Sequence, residues 1–165
     1  MKYIILGVFL ALSYHLNAQS VYSQKWKENT FFHVPHAFTK KVINENKVVY
    51  EMESEHAKLE IMKWPFAEEA TNTDMLMQSV KTITGQLDYS KDEIISSELV
   101  DKKNVESDFI GVRLVLKRNK KKALITALYS EKTNKNYLVF VEANAKYFKN
   151  NKELIQRLSN GLIEY

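Results

Sequence analysis

Apolar residues recur with a period of two over three long stretches in the second half of the chain, residues 109–117, 123–129 and 137–145. Both sides of each stretch carry apolar side chains, which is typical of strands in a sheet that is covered on both faces. The segments between the stretches, residues 118–122 and 130–136, are short and polar. Because short connections join antiparallel neighbours, the pattern predicts an antiparallel meander with two buried faces.

Shorter strands are predicted in the first half of the chain. The clearest signal is a hairpin with one apolar face and one face of Glu and Lys, which is typical of a sheet with one solvated side. An earlier strand stops at Pro35, whose ring cannot extend the hydrogen bonding of a strand. The strands predicted outside the meander are residues 30–34, 40–43, 47–53, 57–64 and 94–100. Residues 21–28 are mostly polar and include two aromatic residues, Tyr22 and Trp26, and we expect them to form a lead-in with one helical turn.

A helical period replaces the strand period after Asn72. Apolar residues recur there every three or four positions, which places them on one face of a helix. Asn72 or Thr73 is positioned to cap the start of this helix, and Gly85 is positioned to end it. The predicted apolar face consists of Leu76, Val80, Ile83 and Leu87.

A second helix is predicted at the end of the chain. Asn150 and Glu153 have the spacing of a capping box, so we expect Asn150 to cap it. Its predicted apolar stripe consists of Leu154, Leu158 and Leu162, joined by Ile155. Two helices and a sheet with two apolar faces predict an α+β fold, with a central, mainly antiparallel sheet and the helices on opposite faces.

The first residues have the pattern of a signal peptide. Lys2 precedes an apolar run over residues 3–14, which is shorter than the roughly 20 residues that span a bilayer core. Ala18 is the small residue after which a signal peptidase would cut. We therefore expect residues 1–18 to be a cleaved signal peptide and residues 19–165 to be a single domain in the periplasm or outside the cell. A buried N-terminal element and an uncleaved membrane anchor are the alternatives.

The absence of cysteine restricts how such a domain is held together. The chain has no Cys, so it can carry neither a lipid-modified cysteine nor a disulfide. Its stability must come from core packing, for which the chain is long enough. The formal net charge is +4, which is mildly basic and by itself identifies no partner.

The order of the elements resembles that of the PsbP-like family. The local marks are the opening segment Phe32-His33-Val34-Pro35, the strand Leu138-Val139-Phe140-Val141 and the closing helix. The glycines and the Trp that often follow the first Pro in that family are missing, and Phe38 lies in that neighbourhood. Over residues 28–165 the resemblance implies an α-β-α sandwich with a scaffold or binding role, and it carries over no catalytic residue.

Histidines are the first candidates for metal or acid–base chemistry. His33 and His36 flank Val34-Pro35 and form a candidate polar site. A zinc site needs three or four convergent ligands, so a surface pair beside a strand end is the alternative to a metal site. The sequence also has no Gly-x-Ser-x-Gly or His-Glu-x-x-His motif. We therefore expect no enzyme activity, no metal and no cofactor.

The strongest charge feature is the turn between the first two meander strands. This turn is a candidate site for an anionic partner, with anionic lipid as one option, although the sequence favours the simpler interpretation given below. Nucleic acid is disfavoured because the chain is expected to be exported. The alternative is a solvated hairpin tip that keeps strand edges apart. The candidate residues are Lys117, Arg118, Lys120, Lys121 and Lys122.

These observations favour a binding function. The first hypothesis is an exported, non-enzymatic domain that binds a protein or a component of the cell envelope. The alternative is a carrier that holds a small apolar ligand between sheet and helix, where aromatic side chains would line the pocket. The candidate aromatic residues are Trp64, Phe66, Tyr89, Tyr147 and Phe148.

Overall fold

The computed structural model describes residues 20–27, 29–64, 66, 68–86, 94–100 and 108–165, with the side chains of Gln86 and Arg118 outside this description. The strands are β1 (Val21–Lys27), β2 (Thr30–Pro35), β3 (Thr39–Ile43), β4 (Lys47–Met52), β5 (Ala57–Lys63), β6 (Ile94–Val100), β7 (Phe109–Arg118), β8 (Lys121–Ser130), β9 (Lys135–Asn144) and β10 (Leu162–Glu164). The helices are α1 (Thr73–Gln86), α2 (Ala145–Asn150) and α3 (Lys152–Asn160), and a 3-10 turn covers Glu53–Glu55. The predicted leader, residues 1–18, lies outside the described residues.

A seven-stranded antiparallel sheet organises the described residues. Its strand order is β3-β4-β5-β9-β8-β7-β6. The long strands β8 and β9 lie near its centre, and Leu124 pairs with Val141 in their register. Strands β7 and β8 are joined by a tight turn in which Asn119 has a φ of 52°, a conformation that Asn tolerates better than most residues. The predicted meander is therefore confirmed.

A second, three-stranded sheet joins the two ends of the described chain, in the order β1-β2-β10. The prediction of a helical turn in residues 21–28 was wrong, because residues 21–27 pair along β2 instead. Trp26 is buried there, and its Nε1 donates to the Asn44 carbonyl at 2.8 Å. Leu162 does not belong to the last helix, since it pairs with Phe32 in β10.

The two faces of the large sheet are covered by different elements. Helix α1 packs on one face, with Leu76, Val80 and Ile83 in the same core cluster as Val112 and Leu114. The small sheet and the helices α2 and α3 contribute to the core on the opposite face. The expectation of helices on opposite faces of an α+β fold is therefore confirmed. Leu87 lies outside the described residues.

The helix ends match the sequence signals only in part. Of the two predicted caps, Asn72 is the one that caps α1, since its Oδ1 accepts from the Met75 amide at 3.0 Å. At the other end, the helix continues through Gly85 to Gln86. Asn150 does not cap α3, because it is the last residue of α2, and Asn151 takes the N-cap position of α3 without a side-chain hydrogen bond. Helix α2 is capped by Asn144, whose Oδ1 accepts from the Tyr147 amide at 2.8 Å. Among the helices described, none is long and apolar enough to span a membrane.

Candidate functional site

A groove of about 400 Å³ lies between the large sheet and the two C-terminal helices. We call it the basic groove. Strands β6, β7 and β8 form one wall, and α2 and α3 form the other. The lining residues are Ser96, Glu98, Arg113, Val115, Lys122, Leu124, Phe148, Lys149, Lys152, Ile155 and Gln156. The groove therefore depends on five separate elements.

The floor of the basic groove is apolar. Val115 and Leu124 are directly paired across β7 and β8, so their side chains share one face of the sheet. Phe148 and Ile155 contribute from the helices and are buried. All four side chains belong to, or pack against, the core cluster on this face. The floor is therefore the outer edge of the core rather than a separate cavity.

Three lysines lie around this floor. Lys122 comes from β8, Lys149 from the last turn of α2, and Lys152 from the first residue of α3. Lys149 and Lys152 are exposed, and Lys122 is half-buried. No salt bridge within the described ranges involves any of the three. Their positive charge is therefore available to an anionic group.

Arg113 supplies a fourth cation, but it is held by the protein. Its side chain is buried, and one guanidinium nitrogen donates to Glu98 Oε1 at 2.9 Å from the neighbouring strand. Its Nε donates to Thr126 Oγ1 at 3.2 Å, and another nitrogen donates to Asn160 Oδ1. Thr126 also shares a hydrogen bond with Ser159. This network joins the end of α3 to the sheet, so it fixes one wall of the groove.

A second cavity of about 580 Å³ extends the basic surface onto the outer side of the α2–α3 junction. It shares Lys149 and Lys152 with the basic groove and adds Arg157, with Glu153 as the one acidic side chain in its lining. This surface is mostly polar. It therefore widens the positively charged region without adding apolar contact area.

The predicted basic turn is the tip of the β7–β8 hairpin, and its residues divide between the two faces of the sheet. Lys117 is paired with Lys122, on the side of the basic groove. Lys121 points to the opposite side and forms an ion pair with Glu142 at 2.7 Å. The Lys120 carbonyl accepts from the Ala145 amide at 2.7 Å, and the side chain of Arg118 lies outside the described residues. Of the five predicted residues, the structure places Lys122 in the groove lining.

Sequence reasoning missed the other cations of the groove. Lys149, Lys152 and Arg113 lie on different elements, and no short motif connects them with Lys122. The detectable signal was the two-sided apolar pattern of the strands, in which Arg113 interrupts a hydrophobic stretch. A buried Arg usually needs several partners, so that interruption could have pointed to a network.

The two candidate histidines do not converge. His33 is buried in β2, and its amide donates to the Gly161 carbonyl at 3.1 Å. His36 is exposed in the turn after β2, where its ring lies 4.9 Å from that of Tyr22. In the part of the chain that the structure describes, no group of three metal-ligating side chains occurs.

The candidate aromatic residues lie in three different places. Trp64 and Phe66 line a pocket of about 310 Å³ at the ends of β5 and β9, which we call the aromatic pocket. Phe148 lies in the floor of the basic groove, and Tyr147 is buried in the core. Tyr89 lies outside the described residues. The structure therefore offers two separate concave surfaces that contain aromatic side chains.

No protein-family model matches the chain, and no curated protein matches it. Among solved structures, cyanobacterial PsbP from Synechocystis is similar, with a TM-score of 0.57 and 16% identity over 88% of this chain and 92% of that chain. The Ran-binding protein Mog1p of Saccharomyces cerevisiae is also similar, with a TM-score of 0.57 and 11% identity over 87% of this chain and 95% of that chain. The chain therefore has a PsbP-like fold, as the order of its elements predicted.

Proposed function

We propose that this chain is a non-enzymatic binding domain that acts outside the cytoplasm, and that its basic groove holds an acidic segment of a partner protein. The observation that carries the proposal is the position of Lys122, Lys149 and Lys152 around an apolar floor. Cations of this kind raise the rate at which an acidic partner associates, and the apolar floor adds contact area after docking.

The residues of the basic groove suit noncovalent binding of an anionic partner. Lysine ammonium groups attract carboxylates, and Val115, Leu124 and Phe148 offer apolar contact. Glu98 is the acidic residue of the lining, and its carboxylate is already paired with Arg113. One protein of similar fold is described as Ran-binding, and this supports a protein partner for the present chain. An anionic lipid surface is the competing outcome for the same lysines.

A small-ligand carrier is the second candidate. The volume of about 400 Å³ falls within the usual range for ligand pockets, and the floor is apolar. Because lysines surround the floor, a ligand of this kind would carry an anionic head. Solvent extraction and mass spectrometry of the purified protein would reveal it, and a spectrum without a co-purifying ligand would remove this candidate.

Charge reversal tests the main proposal. The double variant Lys149→Glu/Lys152→Glu changes two exposed residues, so we expect it to fold and to lose at least about tenfold in binding to the partner. The measurement is cross-linking and capture from envelope extract. The matched control is Lys40→Glu/Lys132→Glu, which reverses two exposed lysines outside the groove lining.

The outcomes separate the alternatives. Loss of one specific protein with the groove variant, but not with the control, supports the proposal. Equal capture by both variants contradicts it. If the wild-type chain captures no protein but binds phosphatidylglycerol vesicles through the same two lysines, the partner is a lipid surface and the protein-partner proposal is wrong.

A further inference from the structure

A cluster of three lysines lies beside the aromatic pocket, away from the basic groove. We call Lys27, Lys63 and Lys135 the lysine cluster. They come from the ends of β1 and β5 and from the start of β9, and Lys63 is directly paired with Tyr137. The side chains of Lys27 and Lys63 are close enough for the charge of one to act on the other. Two ammonium groups so placed repel, and an anion between them would relieve that repulsion.

The electrostatics of the cluster agree with this geometry. Burial, followed by the contact with Lys63, lowers the pKa of Lys27 from 10.5 to about 8. Lys135 adds to the repulsion, while Glu45 opposes it. Lys135 has a second neighbour, because its Nζ lies 3.9 Å from Glu164 Oε1. Lys63 and Lys135 bring two positive charges to the pocket lining, against one carboxylate there, that of Glu69.

The adjoining pocket adds an aromatic wall. Trp64 and Phe66 lie with ring centroids 5.3 Å apart and planes at 67°. Trp64 is fixed at both ends, since its amide donates to the Asn136 carbonyl at 3.1 Å and its Nε1 donates to the Glu68 carbonyl at 2.9 Å. A planar ring can pack against such a wall face-on or edge-on.

Asn136 holds the pocket wall in place. It is 4% exposed and lines the pocket, and its Nδ2 donates to the Ala70 carbonyl at 2.7 Å. Its backbone carbonyl accepts from the Trp64 amide, so the aromatic wall is tied to the start of β9. The pocket is therefore formed before a ligand enters.

We propose that the aromatic pocket binds a small aromatic acid, with the carboxylate held by Lys63 and Lys135, backed by Lys27, and with the ring against Trp64 and Phe66. The pocket volume of about 310 Å³ suits a single substituted ring. Glu69 lies in the lining and is exposed, so it disfavours ligands with a second carboxylate on that side.

The probe is 4-hydroxybenzoate, which combines a single aromatic ring with a carboxylate. We expect saturable binding in isothermal titration calorimetry, and we expect Lys63→Gln to weaken it about tenfold, as loss of one charged hydrogen bond would. The matched control is Lys132→Gln, which removes an exposed lysine outside the pocket lining. Circular dichroism checks that both variants fold.

Two further comparisons test the ring and the charge separately. Cyclohexanecarboxylate lacks the aromatic face, and 4-hydroxybenzyl alcohol lacks the carboxylate, so both should bind more weakly than the probe.

The pH dependence of binding is a separate test. Because a bound anion favours protonated Lys27, the affinity for the probe should fall as the pH rises through about 8.

Several results would overturn the proposal. These are the absence of saturable binding, equal affinity in Lys63→Gln and Lys132→Gln, and inorganic phosphate binding as tightly as the aromatic acid. None of these results bears on the basic groove, because the two sites share no lining residue.

Discussion

At the scale of single residues, Glu60 shows how charge is placed within the sheet. It is buried on β5, and Lys47 and Lys58 both pair with its carboxylate. Burial alone would raise the pKa of Glu60, but the hydrogen bonds from the two lysines outweigh it and leave the pKa below the ordinary value of 4.5. The ionised form is therefore the one that the fold favours.

This placement predicts a pH dependence of stability. Because the pKa of Glu60 is lower in the folded state, its contribution is complete above pH 4.5 and is lost as the pH falls through the folded pKa. Glu60→Gln should lower the free energy of unfolding at pH 7 by about 1–2 kcal/mol, since both lysines remain partly exposed. Urea unfolding at pH 7 and pH 3 measures the difference. An effect of equal size at both pH values would contradict this prediction.

Capping residues show how far a sequence can predict single positions. Asn72 was identified because its partner is three residues away in the sequence, and that contact is present. Near the last helices, three asparagines are candidates for the N-cap position: Asn144, Asn150 and Asn151. The capping-box spacing favoured Asn150 for α3, yet Asn151 holds that position without a side-chain hydrogen bond, and Asn144 caps the preceding helix α2. The choice depends on where β9 ends, which local spacing does not determine.

At the scale of elements, two glycines differ in the space that their surroundings leave for a side chain. A Cβ at Gly111 would lie 2.7 Å from Leu128 Cδ2 and 2.8 Å from the Ala127 carbonyl oxygen, so β7 and β8 could not keep their spacing. At Gly85 the same atom would meet nothing within 4 Å. Gly111 is therefore required by packing, whereas Gly85 only weakens a helix.

The matched pair of alanine variants tests this difference. Gly111→Ala should lower the free energy of unfolding by about 1–3 kcal/mol, because the strand backbone must shift. Gly85→Ala should raise it by about 0.5–1 kcal/mol, because Ala is the better helix former. Thermal and urea unfolding measure both. If both substitutions raised the free energy of unfolding, the prediction that packing requires Gly111 would be wrong.

The elements predicted best are those with the most local signal. Strands β7, β8 and β9 each have ten residues with a clear period of two, and all three were predicted. Strand β10 has three residues and continues the leucine spacing of α3, so Leu162 was assigned to the helix. Strand β1 buries Trp26 but few other side chains, and its partner β2 supplies the hydrogen bonds that define it.

At the scale of the whole molecule, the fold was predictable and the basic groove was not. Element order, with a few local residues, suggested the PsbP-like resemblance, and the solved structures confirm that fold. The groove requires Arg113, Lys122, Lys149 and Lys152 to meet, and these residues lie on four elements. Only the packing of α2 and α3 on the sheet brings them together, so no spacing in the sequence could show it.

Export is the molecular prediction with the simplest test. If residues 1–18 are a signal peptide, the protein isolated from its own cells should begin at Gln19 and should be found outside the cytoplasm. Edman sequencing or intact-mass measurement of the fractionated protein decides this. A chain with Met1 intact in the cytosolic fraction would show that the leader prediction is wrong.

The pairing of β2 with β10 has a consequence for the order of folding. The second neighbour of β2 is the segment Leu162–Glu164, next to the last residue of the chain. Because the two strands are far apart in the sequence, their pairing closes a long loop, and the entropy cost of that closure slows the step. The small sheet should therefore gain its last hydrogen bonds late in refolding, after the local hairpins of the large sheet have formed.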